Sequence, residues 1–443
     1  MKNVTILFNM LLFACSCLFA QTINLEQARA LALANSRSLA KYELSIRSSV
    51  LDEKSQLFSM LPSVSADYNA SMNYFRDWEF INPIDTFNTG LTFSVTQIIF
   101  QGGKSFLQKS INAIATESVR KDALAEYFRV LDELDSAYYD VLEAAATLEA
   151  EEASLQTTSY GFSVAEIRLE NGMINYGDFL KALADKEARE NSRNQARRNY
   201  NLNIAKLKNL TGVTGAVKVE QIDFSAYENV LQRLAAISDD EADALYERLW
   251  NIVAASNPSL AKAAISNQRA QKNLSMTKRD YAPTLSATVF STGLNYSVAN
   301  GFKTNSSGGL TIRGTIPLDF WVLNNRLEKS KIARDSAALD YIGAEISLET
   351  ELQTALLNSF AQAGSVLSSR RSLEYTEKHL EYVMERYRLS QSSVSDLSDA
   401  TSLFISSRNS QTRASYGFLQ SLSRLRSMGA LDDEEMLLKI LMS

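Results

Sequence analysis

Residues 62–100 constrain the fold of this chain more than any other stretch. Val64, Ala66, Tyr68, Ala70, Met72 and Tyr74 are apolar or aromatic, and the residues between them, Ser63 to Asn73, are small and polar. Strict period-two alternation of this kind describes a β-strand with one greasy face and one wet face. After a polar tip around Trp78, Asn82 and Asp85, the alternation returns in Leu91, Phe93 and Val95 against Thr92, Ser94 and Thr96. Two strands of about ten residues flanked by aromatics fit a bilayer-spanning hairpin whose polar side faces a lumen. A half-buried hairpin in a soluble sheet fits the same residues.

The rest of the chain narrows the choice. Lys2, an apolar run from Ile6 to Phe19 and Ala20 before Gln21 describe a secretory signal peptide over residues 1–20, so the mature chain is expected to begin at Gln21. Both cysteines, Cys15 and Cys17, lie inside that segment, so an exported chain cut after Ala20 has no disulfide. Leu12-Phe13-Ala14-Cys15 is a poor lipidation signal because of its bulky Phe13, and lipid attachment stays open. The net charge is −6 and the charged residues are spread evenly, so nothing points to a nucleic-acid surface.

Helical periodicity runs from Leu25 to about Met60 and over a very long stretch from about Ser105 to Leu169, where apolar residues step by three and four. Gly172 and Gly177 bracket a turn, and a return helix is expected over 179–210. Periodicity lapses from Val213 to about Asp240, then resumes over 242–278 with a disturbance at Pro258. The pattern then recurs. Ala282-Pro283-Thr284-Leu285-Ser286-Ala287 echoes Leu61-Pro62-Ser63-Val64-Ser65-Ala66, and a strand pair over 283–317 precedes a second long helix over 324–386, a turn and a return helix to Arg426. No proline falls between Pro83 and Pro258 or beyond Pro317, where the long helices lie. The chain therefore divides into a first repeat, residues 21–230, and a second, residues 231–443, each a helix, a strand pair, a long helix, a turn and a return helix. The repeat pattern predicts that the helix over 242–278 lies beside the first long helix, and that the helix starting at Leu25 closes onto the second.

Four strands cannot close a transmembrane barrel, and an open strand edge cannot face lipid. Other copies must supply the missing strands: two chains make eight, which side chains fill, and three make twelve, which leave a water path. The Ser, Thr and Asn of the polar face favour three.

The order of these motifs resembles the TolC family of outer-membrane efflux proteins. It is carried by Leu61-Pro62-Ser63, by Gln97 to Lys104, by Arg168 to Asp178, and by Arg386-Tyr387-Arg388 with Asp396 to Thr401. The resemblance implies a homotrimer of mixed α and β structure: a twelve-stranded outer-membrane barrel, four strands per chain, continued by a periplasmic α-helical barrel. It implies a passive exit duct of a tripartite efflux or type I secretion system, fed with drugs, metals or similar small molecules by an inner-membrane pump through a periplasmic adaptor. It assigns Asp396 and Asp399 to the closed pore aperture, Asp178 and Tyr387 to a latch holding that aperture shut, and Gly172 and Ser390 to the turns that meet the adaptor. Ser390 replaces the second-turn glycine, and Ser392 stands where the latch carries an arginine. From the residues alone, the two aspartates read equally as acids at a helix N-terminus.

No enzymatic motif competes. His379 is the only histidine, no His/Cys spacing suits a metal, and Gly103-Lys104-Ser105 lacks the first glycine of a phosphate loop because Ile98 occupies its place. No cofactor or metal is expected. The competing reading is a trimeric coiled-coil scaffold of the outer membrane without transport. Tyr74, Phe75, Trp78, Phe80, Phe100, Phe320 and Trp321 flank the strands as candidates for an interfacial aromatic girdle.

Overall fold

A computed structural model describes residues 21–75, 84–297, 301–303 and 307–442. The signal segment with Cys15 and Cys17, and the tip residues Trp78 and Phe80, lie outside the described residues, as do the side chains of Tyr74 and Phe75. In chain order the elements are β1 (Gln21–Ile23), α1 (Leu25–Asn35), α2 (Arg37–Phe58), β2 (Ser63–Phe75), β3 (Ile84–Gln101), α3 (Lys104–Glu170), α4 (Tyr176–Thr211), β4 (Val217–Val219), α5 (Glu228–Ala235), α6 (Asp239–Ser256), α7 (Pro258–Lys278), β5 (Thr284–Ser297), β6 (Gly301–Lys303), β7 (Ser307–Thr315), α8 (Phe320–Arg388), α9 (Val394–Met428) and α10 (Glu434–Met442). Two compact units share them, one within residues 21–40, 124–258 and 345–442, the other within 41–123 and 259–344. Each unit draws on both sequence repeats.

The second unit holds the sheet. β2, β3, β5 and β7 pair antiparallel in that order, and the short β6 continues the β7 side of β5. Residues directly opposite one another share a face, so the register sorts the side chains into rows. One row is Val64, Val95, Val289 and Leu310, an aliphatic residue from each strand. The adjacent row is Ser63, Thr96, Thr288 and Thr311, a hydroxyl from each strand. Hydroxyls bond across strands on that second face: Thr96 Oγ1 lies 3.0 Å from Thr288 Oγ1, and Ser65 Oγ 2.8 Å from Ser94 Oγ. The apolar row is exposed within the chain, with Val64 76 % and Leu310 64 % accessible. β7 begins at Ser307: Gly308 and Gly309 pair with β5, and the Phe290 ring lies where a Cβ on Gly309 would stand.

In the same unit Asn112 Nδ2 of α3 donates to Asp52 O of α2 at 3.2 Å, Lys262 of α7 pairs with Asp122 of α3 at 2.6 Å, and Thr277 Oγ1 of α7 donates to Ser330 Oγ of α8 at 3.3 Å. Lys104 pairs with Asp280 at 2.6 Å, and Arg279 donates to Gly103 O at 2.8 Å where β3 ends in two left-handed glycines.

The first unit is helical, with a small parallel pair, β1 against β4, in the stretch where periodicity lapses. α9 is its most deeply packed helix. It runs antiparallel along α3 through Asp132–Arg424 (3.5 Å), Glu143–Arg413 (3.6 Å) and Glu149–Arg408 (3.5 Å). Its Ser407 also meets Ser372 of α8 at 3.3 Å. A buried charge cluster ties the chain ends into this packing. Asp135 of α3, fully buried, takes a two-pronged bond from Arg29 of α1 (2.8 and 2.9 Å) and further bonds from Arg426 Nη2 (2.8 Å) and Ser423 Oγ (2.7 Å) of α9. Glu434 of α10 accepts from Arg29 at 3.2 Å and from the Tyr227 hydroxyl at 2.5 Å. Burial opposes the Arg29 charge, yet the bond and field of Asp135 outweigh it and raise its pKa.

These contacts correct the expected helix pairing. The N-terminal helix segments meet the first long helix through Arg29–Asp135 and Asp52–Asn112, where the repeat predicted the second. Asp135 is the physical reason, since a buried carboxylate demands a cation and Arg29 supplies it. The 239–278 helices do touch the first long helix at Asp122, but they also meet the second at Ser330. The expected single helix from Leu25 breaks at Ser36, which adopts extended ψ, and Asn257 likewise interrupts α6 and α7 before Pro258.

Candidate functional site at the helical turns

The two reversals, α3 to α4 and α8 to α9, are built alike. Gly172 and Ser390, 218 positions apart, both adopt the left-handed conformation, with φ of +69° and +61°. Gly172 N donates to Leu169 O (3.0 Å) and Met173 N to Arg168 O (2.7 Å); in the second turn Ser390 N donates to Tyr387 O (3.1 Å) and Gln391 N to Arg386 O (2.8 Å). Each return helix then starts on a capping side chain. Asn175 Oδ1 accepts from Asp178 N at 2.8 Å, and Ser393 Oγ accepts from Asp396 N at 3.1 Å. Asp178 and Asp396 are thus the same position of the repeat, the third residue of a return helix.

Asp396 completes a capping box: its Oδ2 accepts from Ser393 N at 2.8 Å and from Ser392 Oγ at 3.2 Å. These bonds, Ser393 N–H foremost, hold its carboxyl below the usual carboxylate range. Asp399 lies one turn further on the same exposed face. The chain therefore places both aspartates on one solvent-facing edge, with Asp396 bonded to its own helix start.

Asp178 and Tyr387 are not bonded to each other within the chain. Asp178 Oδ2 accepts from Asn175 Nδ2 at 3.0 Å. The Tyr387 hydroxyl donates to Gly161 O at 3.0 Å, and the side chain is fully buried among Ala165, Ala182, Val383, Val394, Leu397 and Ala400. Burial foremost pushes the Tyr387 pKa up. Within the chain the Tyr387 hydroxyl is spent on a carbonyl in an apolar cluster and does not meet Asp178.

Two residues without an assigned role complete the arrangement. Arg168, 7 % exposed, lays its guanidinium 4.3 Å from the centre of the Tyr387 ring and donates to Tyr387 O. Gly161 lets α9 approach, since a Cβ there would stand 2.8 Å from Leu397 Cδ2. The detectable signals were a lone mid-helix glycine and an arginine at matched repeat positions, 168 and 386. Arg386 takes a different path: it is exposed and donates to Gln391 O at 2.8 Å. Two side chains bind α4 to α9 beside the site, Lys181 Nζ to Ser395 Oγ (2.6 Å) and Arg189 Nη2 to Ser402 Oγ (2.5 Å). Among the described residues no group of three or more His, Cys, Asp or Glu is placed to hold a metal. His379 stacks on Tyr375, with ring centres 6.3 Å apart.

This arrangement has known relatives. The chain is 22 % identical over 410 residues to the outer membrane protein TolC of Escherichia coli, covering 85 % of this chain and 76 % of that protein. The crystal structure of the Campylobacter jejuni CmeC outer membrane channel shares its fold at a TM-score of 0.75 and 14 % identity, over 95 % of this chain and 89 % of that one. The open-state MtrE outer membrane channel of Neisseria gonorrhoeae matches at 0.69 and 15 %, over 92 % and 88 %. The outer membrane efflux protein family matches residues 28–213 and 249–430, one stretch in each half. A chain matched over most of its length in this way belongs to that family and is an outer-membrane efflux protein.

Proposed function

We propose that this chain is the passive exit duct of a tripartite efflux or type I secretion system, receiving small molecules from an inner-membrane pump through a periplasmic adaptor. The observation that carries the reading is the sheet. One face carries an exposed aliphatic row drawn from all four strands and the other a hydroxyl row, and among the described residues β2 and β7 have no strand on their outer edges. A bilayer satisfies the apolar face, water the hydroxyl face, and neighbouring copies the edges. Three copies give twelve strands around an aqueous lumen, whereas two give eight and a filled interior. The long helices continue the duct into the periplasm.

In this reading Asp396 and Asp399 line the inner aperture as stacked carboxylate rings with a preference for cations. Gly172 and Ser390, both exposed, offer the turns to the adaptor. Asp178 acts as a helix-start acid facing its neighbours. Tyr387 serves as the fixed point that holds the second hairpin against the first, with Arg168 in place of the arginine absent at Ser392.

Beyond position 20 the sequence has no cysteine, so one cysteine on β2 (63–71) combined with one on β7 (307–315) of the same chain reports on edge pairing without background. Oxidation is expected to link chains into covalent trimers, and the purified protein is expected to conduct ions in planar bilayers. Links that stop at dimers, or a detergent-solubilised monomer without conductance, would refute the duct.

A further inference from the structure

The hydroxyl face of the sheet carries charge. Arg313 of β7 stands opposite Ser286 of β5, one pleat repeat from the Thr96–Thr288–Thr311 row, and is exposed. Leu310 and Ile312 point to the other face with Val289 and Ala287 opposite them. Arg313 sits near the helix-proximal end of the sheet, because β5 begins at Thr284 and β7 ends at Thr315. It forms no ion pair among the described residues. An acid on the same face is Asp67 of β2, in the row Thr92, Thr292 and Ser307, and its Oδ2 accepts from Ser65 Oγ at 3.0 Å, while the register puts Lys303 of β6, opposite Asn295, on this face at the sheet's other end. Six residues of β5 separate the two rows, about 20 Å at the strand rise. That is more than two screening lengths at physiological ionic strength, so Asp67 does not neutralise Arg313.

We propose that Arg313 is a specificity-determining residue of the duct, three copies forming a cationic ring on the barrel's wet wall that attracts anionic permeants and binds polyanions. The inference rests on the duct reading, since only closure of the barrel brings the three side chains around one water path. A low-dielectric wall concentrates the field of such a ring inside the lumen. The sign is opposite to that of the aspartate pair at the turns.

The test uses the purified full-length protein in planar bilayers, reading the reversal potential in a KCl gradient and block by inorganic tripolyphosphate added to the chamber facing the barrel. Arg313→Gln is expected to lower the anion-to-cation permeability ratio by about threefold and the tripolyphosphate affinity by about tenfold, as loss of one charge per chain from a confined ring predicts. Arg313→Lys keeps the charge and is expected to keep both properties, which separates charge from packing. Asp67→Asn is expected to change neither by more than about twofold at physiological salt. A conducting Arg313→Gln channel with unchanged selectivity and block would overturn the ring and leave the duct standing. A wild-type protein that forms no conducting pore would overturn the duct, and the ring with it.

Discussion

Replacing Ser390 by glycine should stabilise the second turn. Ser390 holds φ of +61°, a left-handed conformation that costs a side-chain-bearing residue about 1–2 kcal/mol. Glycine removes that cost but gives the unfolded chain about 0.5–1 kcal/mol of extra entropy to lose. The surplus is about 0.5–1 kcal/mol in favour of Ser390→Gly. The first turn provides the mirror experiment. Gly172 has φ of +69° and the same pair of reversal bonds, and no atom lies within 4 Å of where its Cβ would stand. Gly172→Ser therefore meets no clash, and its net cost is the backbone strain less the entropy the unfolded chain no longer has to lose, about 0.5–1 kcal/mol. Amide hydrogen exchange read by mass spectrometry on peptides spanning residues 386–393 and 168–175 isolates each turn from the rest of the molecule. Local opening at Ser390 and Gln391 should slow roughly two- to fivefold in Ser390→Gly, and opening at Gly172 and Met173 should speed by a similar factor in Gly172→Ser. Exchange that is unchanged or faster in Ser390→Gly would show that the serine relieves its strain through contacts the backbone geometry does not predict.

Asp135→Asn should destabilise the helical unit by about 3–5 kcal/mol, seen as a fall in thermal unfolding temperature, because Arg29 and Arg426 lose the buried carboxylate they share; a change near zero would mean water or movement rescues them. Asp399→Ala should reduce cation preference with little effect on stability, whereas Asp396→Ala should also loosen the start of α9. The stabilising part of Asp396 is present above the ordinary carboxylate pKa and is lost as pH falls through its lowered value; equal exchange at residues 393–397 in wild type and Asp396→Ala at neutral pH would refute the cap. Glu151 is 8 % exposed, its Oε2 has no partner, and burial raises its pKa, so the ionised form costs stability. Glu151→Gln should therefore stabilise at neutral pH, with the gain shrinking as pH falls through the raised pKa and gone below the ordinary glutamate value, where both states are neutral; a gain that persists in stronger acid would point to another cause.

The sheet was legible because alternation is local: Val64 and Ser63 declare their faces to any reader of period two, and Pro62, Pro283 and Pro317 mark the ends. The long helices were legible from three-four spacing and from the absence of proline. What sequence could not supply is partner choice between helices. α3 carries similar small and charged residues on several faces, so periodicity alone did not show that Asp135 lies towards Arg29, 106 positions earlier, and Arg426, 291 later. The small C-terminal helix α10 escaped notice for the same reason, since Glu434 acquires meaning only beside Arg29 and Tyr227. At the turns the motif letters were visible, but roles were not. Arg168 and Arg386 occupy matched positions, and burial beneath the second hairpin is what separates a stacked guanidinium from a solvated one.

The equivalence of the two turns carries a consequence for recognition. The threefold assembly proposed above would present six tips, three bearing glycine at the left-handed position and three bearing serine. The backbones of the two kinds are alike, so shape alone cannot separate them. A partner arriving in three copies must sort them by chemistry: the hydroxyl of Ser390 against the bare backbone of Gly172, and the buried Arg168 of one tip against the exposed Arg386 of the other. Such a surface can be read as sixfold by a partner that grips backbone and as threefold by one that reads side chains.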